Sequence, residues 1–221
     1  MLKRVRIQGY KSLVDVEVNL QPLCVLFGPN AAGKSNFLDA LQLLSKIVSA
    51  KTLKDAFDYP YRGTPLESFT FGVEGKQGLM QREKVSFHIE VDVDLSPSII
   101  EAVNSELKQM EGAYVPGDIQ IKEPYLRYSV EVALSPKLGL LRIANERVTA
   151  LDRDSNGEKS QVLLDWNESK QILQVEGRRA YHVDYLDQSA LTKSLYLNQS
   201  PHLVALQREI EIGRASCRER V

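Results

Sequence analysis

The chain has few of the features that mark secreted, metal-binding or membrane-spanning proteins. It contains two cysteines, Cys24 and Cys217, and three histidines in 221 residues, and none of them stands at the spacing of a zinc site. No uninterrupted apolar run approaches the ~18 residues of a membrane-spanning helix. The N-terminal MLKRVRI alternates basic and apolar residues, whereas a signal peptide needs a continuous apolar stretch. We therefore expect a cytoplasmic protein with no membrane partner.

An excess of charge of one sign is also lacking. The 28 lysines and arginines nearly balance the 29 aspartates and glutamates, which gives a net charge of −1. This balance gives no electrostatic case for bulk binding to nucleic acid or to an acidic membrane, although a local basic patch is left open. The composition, 43% hydrophobic and 26% charged, is that of a globular protein of one or two domains.

The first fifty residues predict three strands and a helix. Alternation at period two predicts strands through Val5–Ile7 and Val14–Leu20, joined by a turn at residues 9–12. The apolar run Leu23–Phe27 predicts a strand buried on both faces, with Cys24 as a small core residue. A helix follows, and its predicted apolar face consists of Phe37, Leu41, Leu44 and Val48.

From about residue 69 the sequence predicts mainly antiparallel strands. Clean alternation marks two of them, Phe87–Leu95 and Leu126–Leu134. Between them, Ser96 and Pro97 are typical of a helix start, and the apolar face of that helix consists of Ile100, Val103, Leu107 and Met110. The remaining predictions are a hairpin over Val162–Val175 with its turn at residues 165–168, and loops over residues 111–124 and 151–160.

Three acidic residues, Glu90, Asp92 and Asp94, occupy alternate positions of the first predicted strand of this region. Side chains at alternate positions lie on one face of a strand. We interpret them as the polar face of a sheet rather than as a metal site.

A glycine-rich stretch joins the apolar run to the first helix. The residues Gly28, Pro29, Asn30, Ala31, Ala32, Gly33, Lys34 and Ser35 satisfy the pattern G-x-x-x-x-G-K-[ST] at every fixed position. Small residues let the backbone curl so that its amides point inward, and the helix adds its positive end. Lys34 is predicted to reach the β- and γ-phosphates and the Ser35 hydroxyl to bind Mg²⁺. Asn30 either contacts phosphate or braces the turn.

The flanks of this loop resemble one family. GPNAAGKSNFLDAL, preceded by VRIQGYKSLVDVEV, is similar to the N-terminal lobe of the SMC/RecF-like branch of ABC ATPases, which includes bacterial AAA-family ATPases. The resemblance is specific over residues 1–48. Over residues 69–210 it is looser and rests on the β-rich region and on PHLVALQREI. Transporter ATPases, which usually place Ser-Thr after the lysine, are disfavoured by Ser35 and Asn36.

This resemblance implies a fold and a division of the chain. The fold is an α/β P-loop NTPase, the N-terminal lobe of an ABC-type ATPase head with a large antiparallel β-region. Residues 1–68 would form the nucleotide-binding core, and residues 69–210 a β-rich region of the same lobe.

The resemblance also implies ligands, partners and site residues. The intact protein would hydrolyse Mg-ATP and act as a homodimer on DNA or with a defence effector. Lys11 and Ser12 would approach the phosphates from the hairpin turn, and Asn36 would extend the loop; ordinary turn residues are the alternative for Lys11 and Ser12. A glutamine that helps to hold Mg²⁺ in the family would be Gln188, or less favourably Gln199, although surface residues are the simpler interpretation.

Residues for the hydrolysis step are not identifiable. The family takes them from an apolar strand ending in Asp-Glu and from a serine-glycine signature loop. Val162–Asp165 imitates the apolar strand, but Trp166 follows where glutamate belongs. A nucleotide-gated interaction module without turnover is therefore the alternative function.

The tail, residues 211–221, differs from the rest of the chain. Ten codons for Ile212–Val221 fit a common short-read sequencing adapter without mismatch, whereas the alternative is a basic helical tail. We expect these residues not to be native, the natural chain to continue beyond Glu211, and a C-terminal half to be missing from this fragment.

Overall fold

An antiparallel sheet of eight strands runs through the chain. The computed structural model describes residues 1–58, 63–110, 120–152, 158–176, 179–192 and 199–216. The strands are β1 (Leu2–Tyr10), β2 (Leu13–Asn19), β3 (Val85–Asp94), β4 (Tyr125–Ser135), β5 (Leu140–Leu151), β6 (Glu158–Asn167), β7 (Ile172–Val175) and β8 (Tyr181–His182). Their order is β2-β1-β3-β4-β5-β6-β7-β8. The fold is therefore α/β with a large antiparallel sheet, as the sequence predicts.

Helices pack with the sheet around one apolar core. They are α1 (Lys34–Ile47), α2 (Leu53–Ala56), α3 (Gly75–Gln81), α4 (Pro97–Met110) and α5 (Pro201–Ser216), with a 3-10 helix at Pro65–Ser68. Helix α5 contacts both α1 and α4, and its buried Leu203 and Leu206 belong to the same core as Ile89 of β3. Among the described residues, no helix has the length and apolar content needed to cross a membrane.

The structure confirms the strands and helices predicted from regular hydrophobic patterns. Strands β1, β2, β3 and β4 correspond to the four predicted alternating segments, of which Leu20 and Leu95 lie one residue beyond the ends of β2 and β3. Ile7 of β1 lies opposite Ile89 of β3, and both are fully buried. Helix α4 begins at Pro97 as predicted, and three residues of the predicted face of α1 are buried, namely Phe37, Leu44 and Val48.

The structure differs from the prediction at strand β5 and at the turn of the β6–β7 hairpin, where the hydrophobic pattern of the sequence is irregular. Strand β5 is not predicted because Asn145, Glu146 and Arg147 interrupt the alternation, and the structure places a register shift in the β4–β5 ladder. The β6–β7 hairpin exists, but its turn lies at residues 168–171 because β6 continues to Asn167. Trp166, predicted to lie in the turn, is instead buried within the strand.

The predicted buried strand at Leu23–Phe27 is wrong. These residues form no strand, and Leu23 is 83% and Phe27 91% exposed. Cys24 is likewise exposed and not a core residue. A run of apolar residues indicates burial only if a partner covers both faces, and no strand within the described ranges pairs with this segment.

The acidic residues of β3 lie in a network of ion pairs. Arg4 Nη1 donates to Glu90 Oε1 at 2.6 Å, and Arg127 donates to both carboxylate oxygens of Asp92 at 2.7 and 2.9 Å. The predicted polar face is confirmed, but Asp92 is buried beneath these arginines. Cross-strand pairs of opposite charge therefore stabilise this face of the sheet.

A buried carboxylate fastens the segment at residues 186–192 to β5. Glu146 is fully buried and accepts hydrogen bonds from Tyr128 Oη at 2.8 Å, from the Ser189 hydroxyl, and from the backbone N–H of Ala190 at 2.7 Å. Burial raises the pKa of Glu146, and these hydrogen bonds oppose the rise by stabilising the charged form.

Some predicted boundaries fall partly outside the described residues. The predicted loops at 111–124 and 151–160 do so, although β6 already begins at Glu158. The backbone of the tail belongs to helix α5 as far as Ser216, and Cys217 lies beyond the described residues. The β1–β3 ladder crosses the predicted boundary at residue 68, and the division into two regions stays a prediction.

Candidate functional site

The glycine-rich loop has the backbone conformation of a tight curl. Gly28, Ala31 and Gly33 have φ values of 147°, 64° and 89°, and the amide of Ala32 donates to the carbonyl of Pro29 at 3.4 Å. Left-handed conformations are easily reached by glycine. Left-handed residues placed close together turn the backbone amides toward the inside of a loop, and anion-binding concavities form in this way.

The loop leads directly into the N-terminus of α1. Gly33 is the N-cap and provides no side-chain hydrogen bond, and the first turn contains no acidic residue. The first intrahelical bond runs from the amide of Phe37 to the carbonyl of Gly33 at 2.9 Å. The preceding amides of the first turn have no intrahelical acceptor, so they are donors directed at the loop.

Lys34 lies over the loop that precedes it. Its Nζ donates to the carbonyls of Gly28 at 2.9 Å and of Pro29 at 2.7 Å. Ser35, the next residue of the same helical turn, is exposed. A cation and a hydroxyl are therefore placed together beside the uncapped amides.

The turn between β1 and β2 contacts this loop and helix. Asn36 Nδ2 donates to Ser12 Oγ at 2.7 Å. A Cβ added to Gly33 would lie 3.3 Å from Ser12 Oγ and 3.1 Å from a methyl of Leu13, so glycine is required here by space as well as by its φ value. Lys11 Nζ forms an ion pair with Asp39 of α1 at 2.7 Å.

A neighbouring segment supports the turn from the other side. The amide of Lys11 donates to the carbonyl of Ser68 at 2.9 Å, and the amide of Thr70 donates to that of Gly9 at 2.8 Å. The Thr70 hydroxyl donates to the carbonyl of Lys11 at 2.7 Å. The turn is thus held on both sides by hydrogen bonds.

The two glutamines considered as magnesium ligands lie elsewhere. Gln188 is half-buried, and the carbonyl of the preceding Asp187 accepts from the amide of Leu53 at 2.7 Å. Leu53 begins α2, beyond the C-terminal end of α1, and α1 is about 21 Å long. Gln188 therefore lies near the end of α1 that is remote from the loop. Gln199 is exposed just before α5.

The segment that imitates an apolar strand ending in aspartate is also distant. Val162–Asp165 belongs to β6, which is four strand positions from β1 in the sheet. At about 4.8 Å per strand this is roughly 19 Å. The structure therefore does not place Asp165 beside the loop.

Asp39 is the site-forming residue that sequence reasoning missed. It is buried on the inner side of α1, between Leu38 and Ala40 in a mainly apolar stretch. A carboxylate in such a position needs a partner, and this is the signal by which the ion pair with Lys11 could have been anticipated.

Fold and loop together define a class of protein. An α/β fold in which a glycine-rich loop opens a helix is that of a P-loop ATPase. The family model of the AAA ATPase domain matches residues 1–199, and the chain therefore belongs to this family. The predicted resemblance to SMC/RecF-like ATPases is confirmed.

Several relatives share parts of the sequence. An OLD nuclease of Thermus scotoductus is 41% identical over 44 residues, which are 20% of this chain and 8% of the relative. Chromosome partition protein Smc is 34% identical over 98 residues in Desulfitobacterium hafniense and 26% over 114 residues in Halothermothrix orenii. These segments cover 43% and 50% of this chain. The chain spans only 8% and 9% of the two Smc proteins.

A solved structure gives a weaker likeness. It comes from work on ATP-driven dimerization and DNA-stimulated activation of SMC ATPases, and it aligns with a TM-score of 0.36 at 10% identity. The alignment covers 72% of each chain.

Proposed function

We propose that this chain binds Mg-ATP in the loop formed by residues 28–36. The observation that carries the proposal is the N-terminus of α1, which has Lys34 and no acidic side chain in its first turn. A basic residue at the positive end of a helix is unfavourable unless an anion lies nearby. Phosphate is the anion that such helix ends bind, and the family is one of ATPases.

Each residue of the loop would have a distinct role in binding. The backbone N–H groups between Gly28 and Asn36, except at Pro29, which has none, would surround the phosphates, with Asn30 at the outer turn. Lys34 would exchange the carbonyls of the loop for phosphate oxygens. The Ser35 hydroxyl would hold Mg²⁺, which prefers oxygen ligands. Ser12 and Lys11 would border the site from the hairpin turn.

We extend the proposal to the activity and assembly of the intact protein. It would hydrolyse ATP, close as a homodimer of heads on binding ATP and open after hydrolysis, in DNA handling or defence in the cytoplasm. Support comes from the partial matches to proteins named for chromosome partition and for nuclease activity. Gln188 as a further magnesium ligand stays a prediction from the family resemblance, and it would require the segment at residues 186–192 to approach the loop.

A titration with Mg-ATP tests the binding site. Lys34→Ala is compared with Lys170→Ala, which removes an exposed lysine from the β6–β7 turn. We expect Lys34→Ala to weaken binding about tenfold or more, because a hydrogen-bonded contact to a charged group is lost. Lys170→Ala should bind as the parent chain does. Equal affinity in all three proteins would refute the assignment.

Release of phosphate separates an ATPase from a binding module. Hydrolysis needs a carboxylate that orders Mg²⁺ or the attacking water. The contacts place the carboxylate of Asp39 beside the turn, but Lys11 already occupies it. We therefore expect this chain to bind ATP and to release phosphate no faster than the Lys34→Ala variant does. Release that depends on Lys34 would show that the chain turns over. Its absence, with binding retained, favours the nucleotide-gated module for this chain.

A further inference from the structure

The backbone of Lys11 is fixed by three independent features. Its amide and its carbonyl are both hydrogen-bonded to the segment at residues 68–70, and its φ value is 48°. A residue other than glycine rarely adopts this left-handed conformation without support from its surroundings. These contacts hold the backbone of Lys11 on the side of residues 68–70, whereas its side chain is the part of Lys11 that joins the turn to α1.

The side chain of Lys11 is also held. Its Nζ lies 2.7 Å from Asp39 Oδ2, and the two side chains are only 13% and 11% exposed. The same Nζ lies 5.4 Å from the centroid of the buried Tyr10 ring, a distance suited to attraction between a cation and an aromatic face. Moving Lys11 to a phosphate would leave the largely buried carboxylate of Asp39 without this cation, which is strongly unfavourable.

Ser12, by contrast, is exposed and already directed at the loop. Its Oγ lies within van der Waals distance of the Cβ position of Gly33. It accepts a hydrogen bond from Asn36 Nδ2, so its own O–H remains available as a donor. A hydroxyl donor at the edge of the loop is suited to a phosphate oxygen.

We propose that Lys11 and Asp39 form a latch that positions Ser12 as the phosphate-binding group of the hairpin turn. Lys11 is then a positioning residue and does not itself touch phosphate. The proposal rests on the proposed binding of Mg-ATP in the adjacent loop. It assigns Asp39 a role in the affinity for nucleotide although its carboxylate faces the turn and not the phosphate.

Exchange of the two charges distinguishes a latch from a ligand. The proteins compared in a calorimetric Mg-ATP titration are Lys11→Met, Asp39→Asn, their combination, and the swap of Lys11→Asp with Asp39→Lys. Aspartate is suitable at position 11 because it tolerates left-handed backbone. The latch requires that each single variant lose about tenfold in affinity, that the combination lose no more than one variant, and that the swap recover to within about threefold of the parent chain.

Coupling to Ser12 separates positioning from a general loss of stability. In a Ser12→Ala background, Lys11→Met should have no further effect, because the group it positions is absent. If Lys11 contacts phosphate, the effects of Lys11→Met and Ser12→Ala multiply, and the swap binds as weakly as Lys11→Met, since an aspartate would face the anion. Either result overturns the latch. If the swapped protein does not fold, the coupling of Lys11→Met to Ser12→Ala decides between the latch and direct phosphate contact.

The Lys34→Ala control keeps the two proposals apart. If Lys34→Ala leaves the affinity unchanged, the nucleotide site itself is wrong. If Lys34→Ala weakens binding while the swap shows no recovery, the site stands and only the latch is refuted.

Discussion

Replacing the buried Glu146 with alanine should destabilise the chain more than any comparable change of a surface carboxylate. The substitution removes the acceptor shared by Tyr128, Ser189 and Ala190. It leaves two hydroxyls and one backbone N–H inside the protein without their partner. It also empties the volume of a carboxylate and one methylene group.

The magnitude follows from these donors. Each buried polar group left unsatisfied costs about 1–3 kcal/mol. The two hydroxyls can rotate toward other acceptors, and the parent chain already bears the cost of burying a charge, which is why the pKa of Glu146 is raised. We therefore expect a loss of about 4 kcal/mol, in the range for breaking buried charged contacts. In a chain of this size the melting temperature would fall by about 10 °C.

Urea denaturation monitored by tryptophan fluorescence measures this loss with a probe that lies close to Glu146. Trp166 is the single tryptophan, it is buried, and it lies opposite Glu146 across the β5–β6 ladder. The control is Glu131→Ala, which removes a half-exposed carboxylate from β4 and should change stability by less than about 0.5 kcal/mol. A Glu146→Ala loss below about 1 kcal/mol, with a normal control, would contradict the stabilising role assigned to the hydrogen bonds of Glu146.

The pH dependence provides a second check with a definite sign. Because the folded pKa of Glu146 lies above its ordinary value of 4.5, the folded state holds this proton more tightly than the unfolded state. Its contribution to stability is therefore greatest at low pH and declines as pH rises from about 4.5 through the folded pKa. Subtracting the profile of Glu146→Gln from that of the parent chain should show this decline, and a difference that rises with pH would refute the reasoning.

Further predictions concern three other positions. Gly9→Ala should cost about 2 kcal/mol or more in urea denaturation, because φ is 72° and the new Cβ would lie 2.9 Å from the Ser86 carbonyl. Asp92→Asn should cost about 2 kcal/mol in the same assay, since Arg127 loses a buried charged partner. Phe27→Ser should leave stability within about 0.5 kcal/mol but slow aggregation in light scattering, because this ring is exposed; unchanged aggregation would count against this reading of Phe27.

The sequence predicted those parts of the fold in which local pattern and tertiary environment agree. Strand β3 alternates because one face is apolar and the other carries the ion pairs of Glu90 and Asp92. Helix α4 begins at Pro97 because proline suits a first turn that needs no N–H. In both cases the chemistry of each residue matches its position.

Prediction was wrong where the environment overrides the local pattern. Leu23–Phe27 has the composition of a buried strand, but burial depends on a covering surface and not on composition. Strand β5 contains the fully buried Glu146, which breaks the alternation because its partners come from β4 and from the segment at residues 186–192.

The candidate site shows the same contrast. The loop at residues 28–36 is identifiable because its spacing is a local property of the backbone. The pairing of Lys11 with Asp39 joins residues 28 positions apart: the apolar surroundings of Asp39 in the sequence indicate that it needs a partner, but no local pattern identifies Lys11 as that partner. Titration of the variants with Mg-ATP tests the role of this pair as well as that of the loop.

The position of β1 in the sheet has a consequence for the order of folding. β1 is the first strand in the sequence, yet it lies between β2 and β3, and Ile7 pairs with Ile89 about 80 residues later. The later strands each pair with the next strand along the chain. Closing so long a loop costs chain entropy before its contacts form. On the ribosome, the glycine-rich loop is therefore synthesised early, but the sheet that supports its hairpin is completed only after β3 has emerged.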